Sequence, residues 1–216
     1  YSLSAFFILI SFLFYLNIKN KISFLFFYLA LLSSEKSIVF PLILFVYEFA
    51  LGNLKTGWRK LLPFFILNSV WIVLLFTKIG TRINSVQTST LNPFIQIPIA
   101  VTSYLQLIFW PDGLTLYHSE LFFSQTEYLV RLGIFVLFLA GIAISFFKNR
   151  SIFFWLSFFL ISLIPTLTPL GVSWIVAERY VYLGTIGIVV ATAIILEKYK
   201  NAFWYILAII AFFLAL

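Results

Sequence analysis

The stretch Ala177-Glu178-Arg179-Tyr180-Val181-Tyr182-Leu183 sets an acid and a guanidinium side by side at the mouth of the long apolar run of residues 181–196. Elsewhere the chain avoids charge. Its 216 residues are 63% hydrophobic and 10% charged, with a mean hydropathy of +1.10, values that exclude a water-soluble globular domain. Backbone in hydrocarbon must satisfy its own hydrogen bonds, and the apolar runs lack the two-residue alternation of barrel strands. An all-α integral membrane protein that crosses the bilayer several times is therefore expected. An ionised group at the bilayer centre costs roughly 3 kcal/mol on insertion scales, so a charged pair beside a spanning helix is seldom kept for packing alone.

Outward from that pair, the apolar runs are residues 3–16, 22–32, 37–51, 61–77, 130–147, 152–164, 181–196 and 202–216, which predicts a single transmembrane domain over residues 1–216 with about eight spanning helices. Several runs are short against the roughly 20 residues that a 30 Å core asks for, so flanking residues extend them or the bilayer thins. Residues 80–128 read as a long outer loop, polar at Thr81, Arg82, Asn84 and Gln87. Inside it, residues 94–110 are apolar enough for a helix but carry Gln96, Pro98, Thr102, Ser103 and Gln106.

Charge decides whether that helix crosses. If it lies in the interface, Lys19, Lys21, Lys55, Arg59, Lys60, Lys148, Arg150, Lys198 and Lys200 fall on one side, nine of the fourteen basic residues, and Glu35, Asp112, Glu120, Glu127 and Glu178 fall on the other. The positive-inside bias favours this interfacial placement. It also explains the net charge of +7 without nucleic acid, which is not an expected partner. The expected location is a multi-pass membrane, the plasma (inner) membrane of a prokaryote or the endoplasmic reticulum of a eukaryote.

The chain opens on Tyr1, contains no methionine and ends within an apolar run, so it is expected to be a fragment. Without cysteine it holds no disulfide or thiolate metal site, and with His118 as its one histidine it holds no multi-histidine site; no metal-ligating residues are assigned.

Four groups of residues carry candidate chemistry. Arg179 offers a planar fork of donors to a phosphate, Glu178 orients it or a sugar hydroxyl, and Tyr180 and Tyr182 suit a ring or headgroup; the plainer reading is a structural ion pair within an aromatic belt. Glu35-Lys36 interrupts two apolar runs on the same side, where Lys36 suits a lipid-linked phosphate as a point charge, or where both side chains snorkel to water. The turn Trp110-Pro111-Asp112-Gly113, with Tyr117, His118 and Glu120, suits an acceptor or donor cleft with Asp112 or Glu120 as base. Turn chemistry is the simpler account of Asp112, and a solvated loop that of His118. Asn149-Arg150-Ser151 matches a glycosylation sequon but falls on the basic side.

Taken together, three blocks resemble a known family. Leu32-Ser33-Ser34-Glu35-Lys36-Ser37-Ile38-Val39-Phe40-Pro41-Leu42 with Tyr47-Glu48 is one. Asn92-Pro93 with Tyr104-Leu105 and Trp110-Pro111-Asp112-Gly113-Leu114 is the second. Ala177-Glu178-Arg179-Tyr180-Val181-Tyr182-Leu183 with Ile186-Gly187 is the third. In order and content they are similar to GT-C membrane glycosyltransferases of the transmembrane-and-tetratricopeptide-repeat type. The chain departs from that pattern at Ser34, where the family has its lysine, at Gly184-Thr185 and at Tyr117-His118.

The resemblance implies a GT-C-like fold and transfer of a sugar, often mannose, from a polyprenyl-phosphate carrier to a protein or glycan acceptor outside the cytoplasm. The lipid-linked sugar is then the donor substrate, no other cofactor is implied, and the membrane lipids, donor and acceptor are the partners. The catalytic base is expected in a first outer loop upstream of Tyr1, so no catalytic residue is assigned within the chain. Glu178, Arg179, Tyr182, Glu35 and Lys36 are the expected carrier-phosphate residues. A flippase or transporter of lipid-linked glycans, or a non-catalytic membrane scaffold, is the rival reading.

Overall fold

Apolar runs with few backbone breakers close into helices, and the computed structural model, which describes residues 2–79, 93–110, 124–167 and 176–198, is helical in every regular element. The order is α1 (Ser2–Leu16), α2 (Asn20–Ser33), a 3₁₀ turn (Glu35–Val39), α3 (Phe40–Ala50), α4 (Leu54–Ile79), α5 (Pro93–Phe109), α6 (Gln125–Lys148), α7 (Arg150–Leu167) and α8 (Glu178–Lys198). Four helices are long and apolar enough to cross a membrane, over Leu54–Leu75, Gln125–Lys148, Arg150–Leu167 and Glu178–Lys198. Helices α1, α2 and α3, of 15, 14 and 11 residues, fall short of that length because charged turns bound them closely. The eighth expected span, residues 202–216, lies outside the described residues.

Local polar chemistry fixes the helix ends. Ser34 goes extended after α2, and its hydroxyl accepts from the Lys36 N–H at 3.3 Å to start the 3₁₀ turn. Pro41 sits in the first turn of α3, where its missing N–H is no loss. A reciprocal capping box between Ser124 and Glu127 opens α6, so this helix begins inside the segment 80–128 expected to be loop. The expected basic loop at Lys55, Arg59 and Lys60 is instead the first turns of α4. Lysine and arginine are good helix formers, and the Asn53 side chain accepts from the Lys55 N–H at 3.1 Å to cap it.

Two cores share α7. Phe12, Phe27, Phe40, Phe64, Phe154 and Phe158 knit α1, α2, α3, α4 and α7, with Phe27 5.3 Å from Phe40 and 5.7 Å from Phe64 between ring centroids. On its other side, Phe159 and Leu163 of α7 pack with Ala100, Val101 and Tyr104 of α5 and with Tyr180, Val181 and Ile188 of α8. Helix α6 leaves most of its apolar side chains exposed, Leu137 and Phe147 among them, a surface suited to hydrocarbon.

Tyr15 donates to buried Glu48 at 2.7 Å, which holds the α1–α2 turn beside the α3–α4 turn. Phe49 packs on Phe146 and Phe153, bringing the α6–α7 turn to the same end. Lys19, Lys21, Lys55, Arg59, Lys60, Lys148 and Arg150 therefore gather at one end of the bundle, and the 3₁₀ turn lies at the other.

Helices α7 and α8 run antiparallel and close. A Cβ on Gly187 would stand 2.5 Å from the Trp155 carbonyl oxygen, and one on Gly184 2.6 Å from Ser162 Oγ, whereas Gly133 and Gly141 have open space. Gly187→Val is expected to destabilise the bundle by about 1–3 kcal/mol and Gly133→Val to be near neutral. Thermal unfolding of both variants in detergent checks this, and equal effects would contradict the close packing.

Candidate functional site

Two segments far apart in sequence, around Lys36 and around Arg179, meet on one ring. The 3₁₀ turn carries Lys36 across the end of α8 so that its Nζ stands 3.0 Å from the Tyr180 ring centroid. From the adjacent position on α8, Arg179 brings its Cζ to 5.2 Å from the same centroid, and its Nη2 donates to Tyr180 Oη at 3.3 Å. Tyr180 itself is buried. Each cation gains from the negative face of the ring, an attraction of about 2 kcal/mol or more when desolvated.

Glu35 precedes Lys36 but is exposed, and Glu178 Oε1 is buried with no hydrogen-bond partner among the described residues. Burial pushes the Lys36 ammonium down to about 7; Glu35 opposes that fall and the Arg179 guanidinium adds to it. Lys36 thus sits near the midpoint of its titration at neutral pH, held there by a dry site and a neighbouring cation. An anion placed between the two would relieve both effects.

Helix α5 supplies the wall behind this pair. Tyr104, fully buried, accepts from the Ala177 N–H at 3.4 Å and so ties α5 to the residue before Glu178. A third cation is held on the same helix: Arg131 of α6 donates from Nη1 to Ser103 Oγ at 3.2 Å and to Thr102 Oγ1 at 3.4 Å, and from Nη2 to Gln106 Oε1 at 3.1 Å. Three of the polar residues that distinguish α5 from an ordinary span, Thr102, Ser103 and Gln106, are thereby occupied in holding a guanidinium.

Of the residues expected to bind a carrier phosphate, Lys36 and Arg179 come together on one ring, and Glu35 and Glu178 adjoin them in sequence. Tyr182 does not join them: it is 59% exposed on α8, whereas Tyr180, two residues earlier and on another face, takes the central place. Asp112, Tyr117, His118 and Glu120 lie outside the described residues. Arg131 and Tyr104 are additions from the structure. Arg131 had a legible signal, a cation inside the apolar run of residues 130–147; Tyr104 had none, since only the tertiary contact distinguishes it from ten other tyrosines. Among the described residues no group of acids, histidines or cysteines could hold a metal ion. No protein-family profile, curated protein or solved structure matches the chain.

The titration of Lys36 gives a pH signature with a definite sign. Below about 7 the lysine carries its proton and attracts an anion; above it the neutral amine does not. Affinity for dimethyl phosphate, whose charge is constant across this range, is expected to fall as pH rises through 7 and beyond in the wild type. It should stay flat in Lys36→Arg, where the charge is permanent. Isothermal titration at several pH values reads both, and a flat wild-type profile would remove Lys36 from the site.

Proposed function

We propose that this end of the bundle receives the phosphate of a polyprenyl-phosphate-linked sugar, and that the protein transfers the sugar, mannose or another hexose, to a protein or glycan acceptor on the extracytoplasmic face. The observation that carries this reading is the convergence of Lys36 and Arg179 on Tyr180. Two cations from remote segments share one partly desolvated position against the same ring. The arrangement gathers positive charge at an end of the bundle that an amphiphilic donor reaches from the bilayer.

In such a transfer the glycosidic C–O bond to the carrier phosphate breaks as the acceptor oxygen attacks, and negative charge grows on the departing phosphate. A guanidinium and an ammonium already in place stabilise that charge without reorganisation, a contribution of about 3–4 kcal/mol for a single well-placed donor. Arg179 is the stronger candidate for direct contact because its planar fork matches two phosphate oxygens and it remains charged at any working pH. Lys36 adds a point charge. Glu178 has an acceptor oxygen with no hydrogen-bond partner among the described residues, suited to a sugar hydroxyl or to steering the neighbouring guanidinium.

The order of the three sequence blocks, the outer placement of Glu35-Lys36 and Glu178-Arg179, and the polar helix α5 beside them support a GT-C-like arrangement in which the shorter helices α1, α2 and α3 also enter the membrane and α5 lies along its outer surface. In membranes carrying the full-length protein, Arg179→Ala is expected to lower sugar transfer by a factor of about a hundred or more while leaving the thermal unfolding transition in place. Transfer at the wild-type rate by a folded Arg179→Ala protein would sink the assignment.

A further inference from the structure

Helix α5 is held at neighbouring residues by two different helices. On one side Arg131 of α6 donates from Nη1 to Ser103 Oγ at 3.2 Å and to Thr102 Oγ1 at 3.4 Å, and from Nη2 to Gln106 Oε1 at 3.1 Å. Thr102 directs its own hydroxyl hydrogen to the Pro98 carbonyl at 2.7 Å, so its oxygen meets the guanidinium as an acceptor. Residues 102, 103 and 106 lie within about one turn of α5, and the two arms of the guanidinium fork span that turn. An ammonium on a single stem reaches one level of it, not both.

One residue further along, the same helix turns Tyr104 into the core. Its fully buried hydroxyl accepts from the Ala177 N–H at 3.4 Å and also meets the Thr166 side chain of α7. Ala177 is fully buried too, and its carbonyl accepts from the Tyr180 N–H at 2.9 Å, which begins α8. The contacts therefore run without a gap from Arg131 through Ser103 and Tyr104 to Ala177, and from there to Arg179 and Tyr180. A helix turn is stiff, so a slide or rotation of α5 at Ser103 is felt at Tyr104, and a small misplacement there carries into the start of α8.

We propose that Arg131 is a positioning residue for the phosphate site: its grip on one turn of α5 fixes Tyr104, and the Tyr104 hydroxyl fixes Ala177 and with it the placement of Arg179 beside Tyr180 and Lys36. The inference rests on the reading of this end as a phosphate site. Lys36 reports the outcome, because its titration depends on how closely Arg179 is held. The charges that act on it are Glu35 of its own turn and Arg179 of α8, whereas the helices packed on that turn, α1, α2, α3 and α7, carry their charges, Lys21, Glu48 and Arg150, at the basic end. Loosening Arg179 and the packing around it relieves the pressure that lowers the lysine, and its titration then moves to higher pH.

The test uses the full chain in phosphatidylcholine nanodiscs, titrated calorimetrically with dimethyl phosphate on the acid side of the Lys36 midpoint and then at rising pH, with thermal unfolding of each variant alongside. Arg131→Gln, Arg131→Lys and Tyr104→Phe are each expected to weaken binding about tenfold, the size of coupling found between contacting groups, and to move the loss of binding to higher pH. Arg131→Gln combined with Tyr104→Phe should bind no more weakly than the weaker single variant, because both act through one link. Ser124→Ala, which removes the α6 cap and leaves the clamp, should bind as the wild type does. If Arg131→Gln does not fold, Ser103→Ala with Gln106→Ala trims the acceptors instead and is expected to show the same weakening and the same pH shift. Full affinity in Arg131→Lys with loss in Arg131→Gln would make the charge itself the acting feature and overturn the proposal, as would additive losses in the double variant or an unmoved pH profile. Wild-type affinity in a folded Arg131→Gln protein, where Arg179→Ala abolishes binding, would overturn the positioning role and leave the phosphate site standing. Absence of binding by the wild type would overturn both.

Discussion

One buried carboxylate organises the first half of the bundle. Glu48 is 7% exposed near the end of an eleven-residue helix, and it accepts from Tyr15 of α1 through one oxygen and from the Asn53 N–H through the other. Gly52 and Gly57 leave room for its side chain, since a Cβ on either would run into it. Leaving such a charge uncompensated would cost several kcal/mol, so α1, α3 and the start of α4 are held at a common level. Because α3 is short and stiff, fixing its C-terminal end also fixes the 3₁₀ turn at its N-terminal end, and with it the reach of Lys36 toward Tyr180.

The two ends of the bundle handle positive charge differently. At the basic end the cations are exposed, and their stems lie over apolar helix surface while the charged heads reach water. At the other end Lys36 and Arg179 are half-buried, and a tyrosine ring attracts both.

The helices were largely legible in the sequence, because hydrocarbon admits no other backbone for these runs and because Ser34, Asn53, Ser124 and Asn149 stand where helix starts need acceptors. Boundaries were less so. Lys55, Arg59 and Lys60 suggest a loop by charge, yet their intrinsic preference is helical, and the Asn53 cap draws them into α4. The Ser124-to-Glu127 spacing was a readable start signal that places the beginning of α6 ahead of the apolar run. Of the site, Glu178-Arg179 and Glu35-Lys36 stood out by being charged among apolar neighbours, the one contrast a single sequence displays without help.

Which tyrosine matters is a different kind of fact. Tyr180 and Tyr182 are equivalent in composition and nearly so in position, and only the packing of α8 on α5 and α7 buries the first and exposes the second. Likewise the sequence by itself determined that the chain is helical, that its cations concentrate at helix ends and that two charged pairs interrupt apolar runs, since these follow from the cost of placing charge and bare backbone in hydrocarbon. The meeting of Lys36 with Arg179 and the capture of Arg131 by α5 were decided only by the tertiary structure. Each depends on side chains from segments far apart along the chain, and their distance in space is set by how the helices cross, which no local pattern encodes.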